Sequence, residues 1–144
     1  MKTIYKAVLN LSQIKQLNVL GFKTENYEST WSWEKQKQRW TKNANDQSDY
    51  KLILNDTIPI NGLDSIERIP TLTGGEILKI LPGEITLGGV DYSLELYKTI
   101  DGKLKLRYMK GLLGNPLIEI VGDELLEICY KALIELLENG IRVI

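Results

Sequence analysis

Apolar and polar side chains alternate along two segments of the chain, residues 90–96 and 104–108. A period of two places every second side chain on the same face of a strand. Each segment is therefore predicted to be a strand with one buried and one exposed face. The buried positions are all even-numbered: Val90, Tyr92, Leu94, Leu96, Leu104, Leu106 and Tyr108.

The parity of these positions predicts the turns that connect the strands. Because both strands bury even-numbered residues, the loop between them must contain an odd number of residues. The segment 100–102, Ile-Asp-Gly, fits as a three-residue turn with Gly102 in the left-handed conformation. The preceding strand carries Ile85 and Leu87 at odd positions, so its loop must be even, and the Gly-Gly pair at 88–89 supplies it.

This register predicts which side chains face each other across the two strands. Glu95 lies opposite Arg107 on the exposed face, so we expect an ion pair there, worth about a few tenths of a kcal/mol. The other predicted pairs are Tyr97 with Lys105 on the exposed face, and Leu94 with Tyr108 and Leu96 with Leu106 on the buried face.

The end of the sequence predicts one more strand, over Pro116–Val121, and a long helix over Glu124–Asn139. Asp123 is placed to cap the start of this helix, and Gly140 is the residue type that commonly follows a helix end. The apolar positions of the helix recur at helical spacing: Leu125, Leu126, Cys129, Ala132, Leu133, Leu136 and Leu137.

The first half of the sequence predicts shorter elements. Ser12 can cap a short helix in which Ile14 and Leu17 point inward, and Gly21 follows its end. Residues 41–49 have the composition of a loop. The predicted elements are a strand over residues 2–9, a helix over 12–20, strands over 27–33 and 50–54, and a helix over 76–81 that opens with a Thr73–Glu76 capping box.

These elements predict an α+β fold: an antiparallel sheet with a long C-terminal helix packed on one face, plus an N-terminal half of strands and a short helix. Residues 23–50 are polar, whereas residues 76–144 are rich in Ile and Leu. This shift predicts two units, 1–72 and 73–144, the second with an αββββα-like order. One compact domain is the alternative.

Composition then limits the chemistry. The chain of 144 residues has no histidine and one cysteine, so Ser-His-Asp and Cys-His nucleophile systems are excluded. A structural zinc site lacks ligands for the same reason. We therefore expect no metal, no cofactor and a non-enzymatic protein, with a carboxylate- or arginine-dependent enzyme as the alternative. No signal peptide or membrane span is predicted, and we expect a soluble, intracellular protein.

All three tryptophans lie in residues 29–40, STWSWEKQKQRW, beside a run of cations. If one strand continues through this segment, its aromatic rings and cations share a face on which bases stack and phosphates bind. The alternative is that the indoles are core residues and the cations are solvated. The candidate binding residues here are Trp31, Trp33, Lys35, Lys37, Arg39 and Trp40.

Three further cations, Lys103, Lys105 and Arg107, occupy the exposed face of one predicted strand. Together with residues 35–42 they would form an anion-binding surface. Asp91 and Glu95 on the neighbouring strand cancel part of their charge, so an ordinary solvated sheet face is the alternative.

Residues 90–139 follow a pattern of strand, Asp-Gly turn, strand, a third strand, then Gly-Asp and a leucine-rich helix. The positions that carry this pattern are Asp101, Gly102, Tyr108, Gly122, Asp123, Leu126, Glu127, Ala132 and Glu135. The pattern resembles the HicB-like family. The resemblance implies a sheet followed by a helix, and an antitoxin that binds and blocks a small ribonuclease. The sequence departs from that pattern at Gly111–Pro116, and its first half has no counterpart there.

The second half carries a second pattern, a hairpin followed by a leucine-rich helix that ends in Glu-Asn-Gly. Its residues are Leu81, Pro82, Ile85, Tyr92, Leu94, Leu96 and the run Leu133–Gly140. The pattern resembles short proteins encoded by phages and mobile elements of gut bacteria. That resemblance implies a viral or mobile-element origin, a location in the host cytoplasm or in a virion, and no particular activity.

The sequence as a whole favours a binding or assembly protein that acts by protein–protein contact. It would inhibit a host factor or form part of a virion, with a protein partner or further copies of itself. The alternative is a nucleic-acid or nucleotide-binding protein that uses residues 31–42.

Overall fold

The computed structural model describes residues 7–36, 47, 50–55, 67–111 and 114–143, and these form an α+β fold with two antiparallel sheets. The chain divides into two compact units, Met1–Thr73 and Gly74–Ile144. The helices in the described part are α1 (Leu11–Val19), α2 (Gly74–Ile80) and α3 (Leu125–Glu138), and the strands are β1 (Trp31–Lys35), β2 (Tyr50–Leu54), β3 (Arg68–Thr71), β4 (Glu84–Leu87), β5 (Val90–Lys98), β6 (Leu104–Met109) and β7 (Ile118–Gly122).

The first helix, α1, begins one residue before the predicted cap. Asn10 caps it instead of Ser12: its side chain accepts from the Gln13 N–H at 2.9 Å, and the Gln13 side chain accepts from the Asn10 N–H at 2.9 Å. This reciprocal pair satisfies two N–H groups that the first turn leaves without helical partners. Ile14 and Leu17 point inward as predicted.

The sheet of the first unit has the strand order β2-β1-β3. The predicted strand over 27–33 is wrong in its bounds, because Thr24–Asn26 form a short 3-10 helix and the Tyr27 ring stacks on Phe22 with 4.4 Å between ring centroids. The strand starts at Trp31 and ends at Lys35, while Tyr50–Leu54 is a strand as predicted.

The start of the described chain is tied to the end of the same unit. Val8 forms an isolated antiparallel bridge with Thr73, and the Leu9 N–H donates to the Leu72 carbonyl at 3.0 Å. The rest of the predicted strand over 2–9, including Ile4, lies outside the described residues, as does the loop over 41–49 except Gln47. The buried apolar residues here are Val8, Leu9, Leu11, Ile14, Leu17, Phe22, Trp33, Tyr50 and Leu72.

The sheet of the second unit has the order β4-β5-β6-β7, and its register is the predicted one. Leu87 pairs directly with Val90, so the β4–β5 loop is Gly88-Gly89, both with positive φ. At the β5–β6 turn Gly102 has φ 84°, and the Thr99 N–H donates to the Lys103 carbonyl at 2.7 Å. The observed β5–β6 pairs include Leu94–Tyr108, Glu95–Arg107, Leu96–Leu106 and Tyr97–Lys105.

The last helix, α3, starts later than predicted. The residue at its N-cap is Glu124 rather than Asp123, with extended backbone and no side-chain cap hydrogen bond. At the other end Gly140 has φ 71°, and the Ile141 N–H donates to the Leu136 carbonyl at 2.9 Å, which confirms the predicted glycine termination. The helix α2 likewise begins at Gly74 rather than Glu76.

The buried core of the second unit lies between α3 and the even-numbered face of β6 and β7. Two predicted inward positions are exposed rather than buried, Leu87 at 42% and Leu96 at 36%. Four others are half-buried: Val90, Tyr92, Leu94 and Leu104. Because α3 packs mainly on β6 and β7, side chains toward the ends of β4 and β5 receive less cover from it. The fully buried apolar residues of this core are Ile77, Leu106, Tyr108, Ile128, Cys129, Ala132, Leu133 and Leu136.

Candidate functional site

The two indoles of β1 differ in their surroundings. Trp33 is only 4% exposed, and its Nε1–H donates to the Leu9 carbonyl at 2.8 Å. A buried indole with a satisfied N–H is a core residue, because its faces are not available for stacking on a base. Trp31 is half-buried, next to Leu54 on β2 and Thr71 on β3.

The strand that carries Trp31 and Trp33 ends at Lys35, whose backbone N–H donates to the Glu67 carbonyl at 3.0 Å. Lys37, Arg39 and Trp40 lie outside the described residues. The described part of this segment therefore fits the core alternative at Trp33. A shared aromatic and basic face across residues 31–42 stays a prediction.

The other predicted cations lie on the exposed, odd-numbered face of the second sheet. Arg107 and Lys105 are central there, because β6 lies between β5 and β7. We call this surface the outer sheet face, and its residues are Glu95 and Tyr97 of β5, Lys105 and Arg107 of β6, and Glu119 and Val121 of β7.

Both central cations of the outer sheet face have acidic partners. Arg107 Nε lies 2.6 Å from Glu95 Oε2, which confirms the predicted contact, and Lys105 Nζ lies 3.3 Å from Glu119 Oε1. The hydrogen bond that the Arg107 guanidinium donates to Glu95 raises the pKa of Arg107. Two of the three predicted cations are therefore largely neutralised, and the third, Lys103, is exposed beside the turn.

The Arg107 guanidinium also lies over the Tyr97 ring, 5.1 Å from its centroid. This distance suits a cation–π contact, which the planar guanidinium makes well. Glu95 and Tyr97 thus hold Arg107 from two directions. These two contacts restrain the arginine side chain on the sheet surface.

Exposed apolar side chains adjoin this fixed arginine. Tyr97 is 38% exposed, Val121 is 44% exposed, and Ile100 at the tip of the β5–β6 turn is fully exposed. All three line one shallow depression, with Lys105 and Asp101 at its border. Tyr97 was predicted to lie on this face, but Ile100 and Val121 were not. Val121 could have been predicted, because it is odd-numbered on a strand whose core residues are even-numbered.

The turn that carries Ile100 is held by its own polar groups. The Thr99 hydroxyl donates to the Asp101 carboxylate, and this hydrogen bond lowers the pKa of Asp101. The Lys103 N–H donates to the Thr99 hydroxyl oxygen at 3.1 Å. With Gly102 in the left-handed region, these bonds fix the turn and hold Ile100 outward.

A second concavity lies inside the first unit, between α1, the 3-10 helix and the first residues of β2 and β3. Its volume is about 400 Å³. Its walls contain Arg68 of β3, whose Nε lies 2.9 Å from Glu34 Oε2 on β1. We call it the Arg68 pocket, and it is lined by Leu11, Ile14, Lys15, Asn18, Lys23, Thr24, Glu25, Tyr50, Glu67, Arg68, Ile69 and Pro70.

One atom of the Arg68 guanidinium is buried without a hydrogen-bond partner in the described part of the chain. This atom is Nη2, on the group whose Nε pairs with Glu34. On the same wall, the Tyr50 hydroxyl donates to Glu67 Oε2 at 3.1 Å. Sequence reasoning missed this pocket because its residues come from four separate segments with no local motif.

The single cysteine lies in the core of the second unit. Burial raises the pKa of the Cys129 thiol to about 11, so the unreactive thiol form dominates at neutral pH. Within the described ranges no three His, Cys, Asp or Glu side chains are grouped closely enough to hold a metal ion. The described helices are also too short or too polar to cross a membrane.

Comparison of the sequence with protein-family models, with curated proteins and with solved structures finds no match.

Proposed function

We propose that this chain is a non-enzymatic binding protein that acts by contact with another protein, through the outer sheet face and the Ile100 turn. The observation that carries the proposal is the exposed apolar group Tyr97, Ile100 and Val121 around one depression beside a fixed arginine. Aromatic and arginine side chains supply most of the energy at many protein interfaces. The ion pairs beside them resemble the polar rim of such interfaces.

The occupant we propose is a different protein rather than a second copy. Permanent homodimers bury about 2,000 Å² or more of largely apolar surface. Three exposed apolar side chains, two of them only partly exposed, among four charged ones supply much less. A smaller contact that depends on a few central residues suits a partner that also exists free. Both an inhibitor of a host factor and a component of a viral assembly would act in this way.

The absence of histidine and the buried state of Cys129 support the non-enzymatic part of the proposal. The nucleic-acid alternative is not favoured by the described residues, because Trp33 is buried and Arg107 and Lys105 have acidic partners. The HicB-like resemblance and the viral or mobile-element origin stay predictions.

The test compares Ile100→Ser with Val19→Ser as its matched control. Both wild-type side chains are exposed aliphatic residues, at 109% and 81%, but Val19 lies in α1 of the first unit. The immobilised wild type and both variants are used to isolate proteins from cells that produce the chain. Each candidate is then purified and its affinity measured by calorimetry.

Burying one isoleucine side chain at an interface contributes about 1.5–3 kcal/mol, so we expect Ile100→Ser to weaken a one-to-one complex by about 10- to 100-fold. We expect Val19→Ser to bind like the wild type. A complex that tolerates Ile100→Ser, or loses affinity equally with Val19→Ser, contradicts the proposal. So does concentration-dependent self-association through Ile100.

Fluorescence titration with single-stranded DNA and RNA tests the other class of function. We expect no saturable quenching of the tryptophans at low salt. Quenching that weakens steeply with added salt would favour the nucleic-acid alternative.

A further inference from the structure

The Arg68 guanidinium pairs with one carboxylate, but one of its N–H donors has no partner among the described residues. Glu34 pairs with Nε at 2.9 Å, and the two side chains are only 22% and 16% exposed. Nη2 is buried and has no hydrogen-bond partner among the described residues. Buried N–H donors in folded proteins nearly always bond to protein, water or ligand. Arg68 also lines the pocket, so its guanidinium retains a hydrogen-bond donor beyond the pair with Glu34.

The rest of the pocket has charged residues at its rim and apolar residues in its walls. Lys15 of α1 and Lys23 contribute two exposed cations. Of the two acids in the lining, Glu67 accepts the hydrogen bond of Tyr50, and Glu25 is exposed and offsets part of the charge of the lysines. The apolar part of the wall is formed by Leu11, Ile14, Ile69 and Pro70.

We propose that the Arg68 pocket binds a small organic anion, a carboxylate or a phosphate monoester on an apolar body about the size of one aromatic ring. A planar guanidinium matches the oxygens of both anions, and they share this chemistry. The volume of about 400 Å³ lies within the range of small-molecule sites. The lysines at the rim attract the anion, and the apolar wall takes up the body. This proposal is independent of the protein contact, since the outer sheet face belongs to the other unit.

The test is an NMR titration of the full ¹⁵N-labelled chain with phenyl phosphate and with benzoate. We expect saturable shifts of the Arg68 side-chain Nε–H and of the backbone amides of Ile14 and Ile69. Inorganic phosphate, which has no apolar body, is expected to bind at least about tenfold more weakly. Benzylamine, a cation with the same ring, is expected to give no saturable shift. If benzylamine binds as well as benzoate, or if neither anion saturates, the pocket holds water only and the proposal is wrong.

Three variants then test the roles of the charges. Glu34→Gln removes the carboxylate that competes for Arg68, so we expect the affinity for phenyl phosphate to rise severalfold. Lys15→Gln combined with Lys23→Gln is expected to lower it by about 3- to 10-fold, with a weaker dependence on salt. Lys79→Gln, an exposed lysine of α2 in the other unit, is the control and is expected to leave it unchanged.

The sign of the Glu34→Gln effect separates binding from structure. A salt bridge with only a structural role would lower stability on this substitution without raising affinity for an anion. An unchanged or reduced affinity in Glu34→Gln, with no effect of the two lysine substitutions, overturns the proposal. Arg68→Lys adds a check that keeps the charge: loss of the planar group is expected to reduce affinity while the lysine variants keep their order.

Discussion

Gly74 allows α2 and α3 to approach each other closely, and its replacement by alanine tests this packing. A Cβ atom on Gly74 would lie 2.8 Å from the backbone nitrogen of Leu126 and 3.0 Å from its Cα. Carbon atoms in proteins pack at about 3.5–4.0 Å. Because the obstructing atoms belong to the backbone of α3, no side-chain rotation relieves the contact. The two helices would have to separate by about 0.5–1 Å.

The expected cost follows from this displacement. Overpacking a well-packed core costs about 1–3 kcal/mol. Alanine in place of glycine in a helix recovers at most about 1 kcal/mol through its better propensity. We therefore expect Gly74→Ala to lower the free energy of unfolding by about 1–2 kcal/mol, although the same change usually stabilises a helix. With a urea dependence of about 2 kcal/mol per M, the midpoint falls by about 0.5–1 M.

The control for this prediction is Gly83→Ala. Gly83 has no positive φ, and a Cβ atom there meets nothing within 4 Å. Gly83→Ala should therefore be neutral or stabilise by up to about 1 kcal/mol through the unfolded chain. Urea unfolding followed by far-UV circular dichroism is the assay, because all three tryptophans lie in the other unit and their fluorescence does not report on α2 and α3. If Gly74→Ala is as stable as Gly83→Ala, the close approach of the helices is wrong.

Two further predictions concern buried polar groups. The Leu9 carbonyl accepts hydrogen bonds from both Trp33 Nε1 and Thr71 Oγ1, so Trp33→Phe or Thr71→Val alone should lower the free energy of unfolding by about 1–2 kcal/mol. The double variant removes both donors to this carbonyl and should cost more than the sum of the single variants. A double-mutant cycle in urea measures the difference. The pKa of the Cys129 thiol is raised to about 11, against about 8.5 in an unfolded chain. The thiol therefore ionises first in the unfolded chain, and this stabilises the unfolded state as the pH rises above about 8. The free energy of unfolding should fall by up to about 1.4 kcal/mol per pH unit between about pH 8 and 11. Urea midpoints between pH 8 and 11 should fall less steeply in Cys129→Ser, and equal slopes would contradict the assignment.

The register of the second sheet could be predicted because alternation leaves few choices. Once the even-numbered residues of two neighbouring strands are buried, the loop parity is determined, and a glycine such as Gly102 then selects the turn. The contact between Glu95 and Arg107 followed from that register alone, without any knowledge of the rest of the fold.

Helix starts and the surroundings of single residues could not be predicted in the same way. Asn10 and Ser12 are both good N-cap residues. Asn10 is the cap in the structure, where the helix follows directly after the bridge between Val8 and Thr73. Trp33 is buried beside Leu9, a residue of a distant segment whose carbonyl accepts the indole N–H. The Arg68 pocket also combines segments far apart in sequence, and no periodicity connects them.

The length of the β5–β6 turn determines which side chains lie on each face of the second sheet. The three-residue turn that directs Leu106 and Tyr108 toward α3 is also what places Tyr97 opposite Lys105 on the outer sheet face and leaves Ile100 at the tip. A turn shorter by one residue would exchange the faces of β6, removing core residues from α3 and apolar surface from the contact at once. The proposed contact surface therefore needs no separate structural support: the constraint that specifies the core also specifies the surface. Ile100 can therefore be fully exposed on a well-ordered turn, because the turn is specified by the core residues of β5 and β6 and not by Ile100 itself.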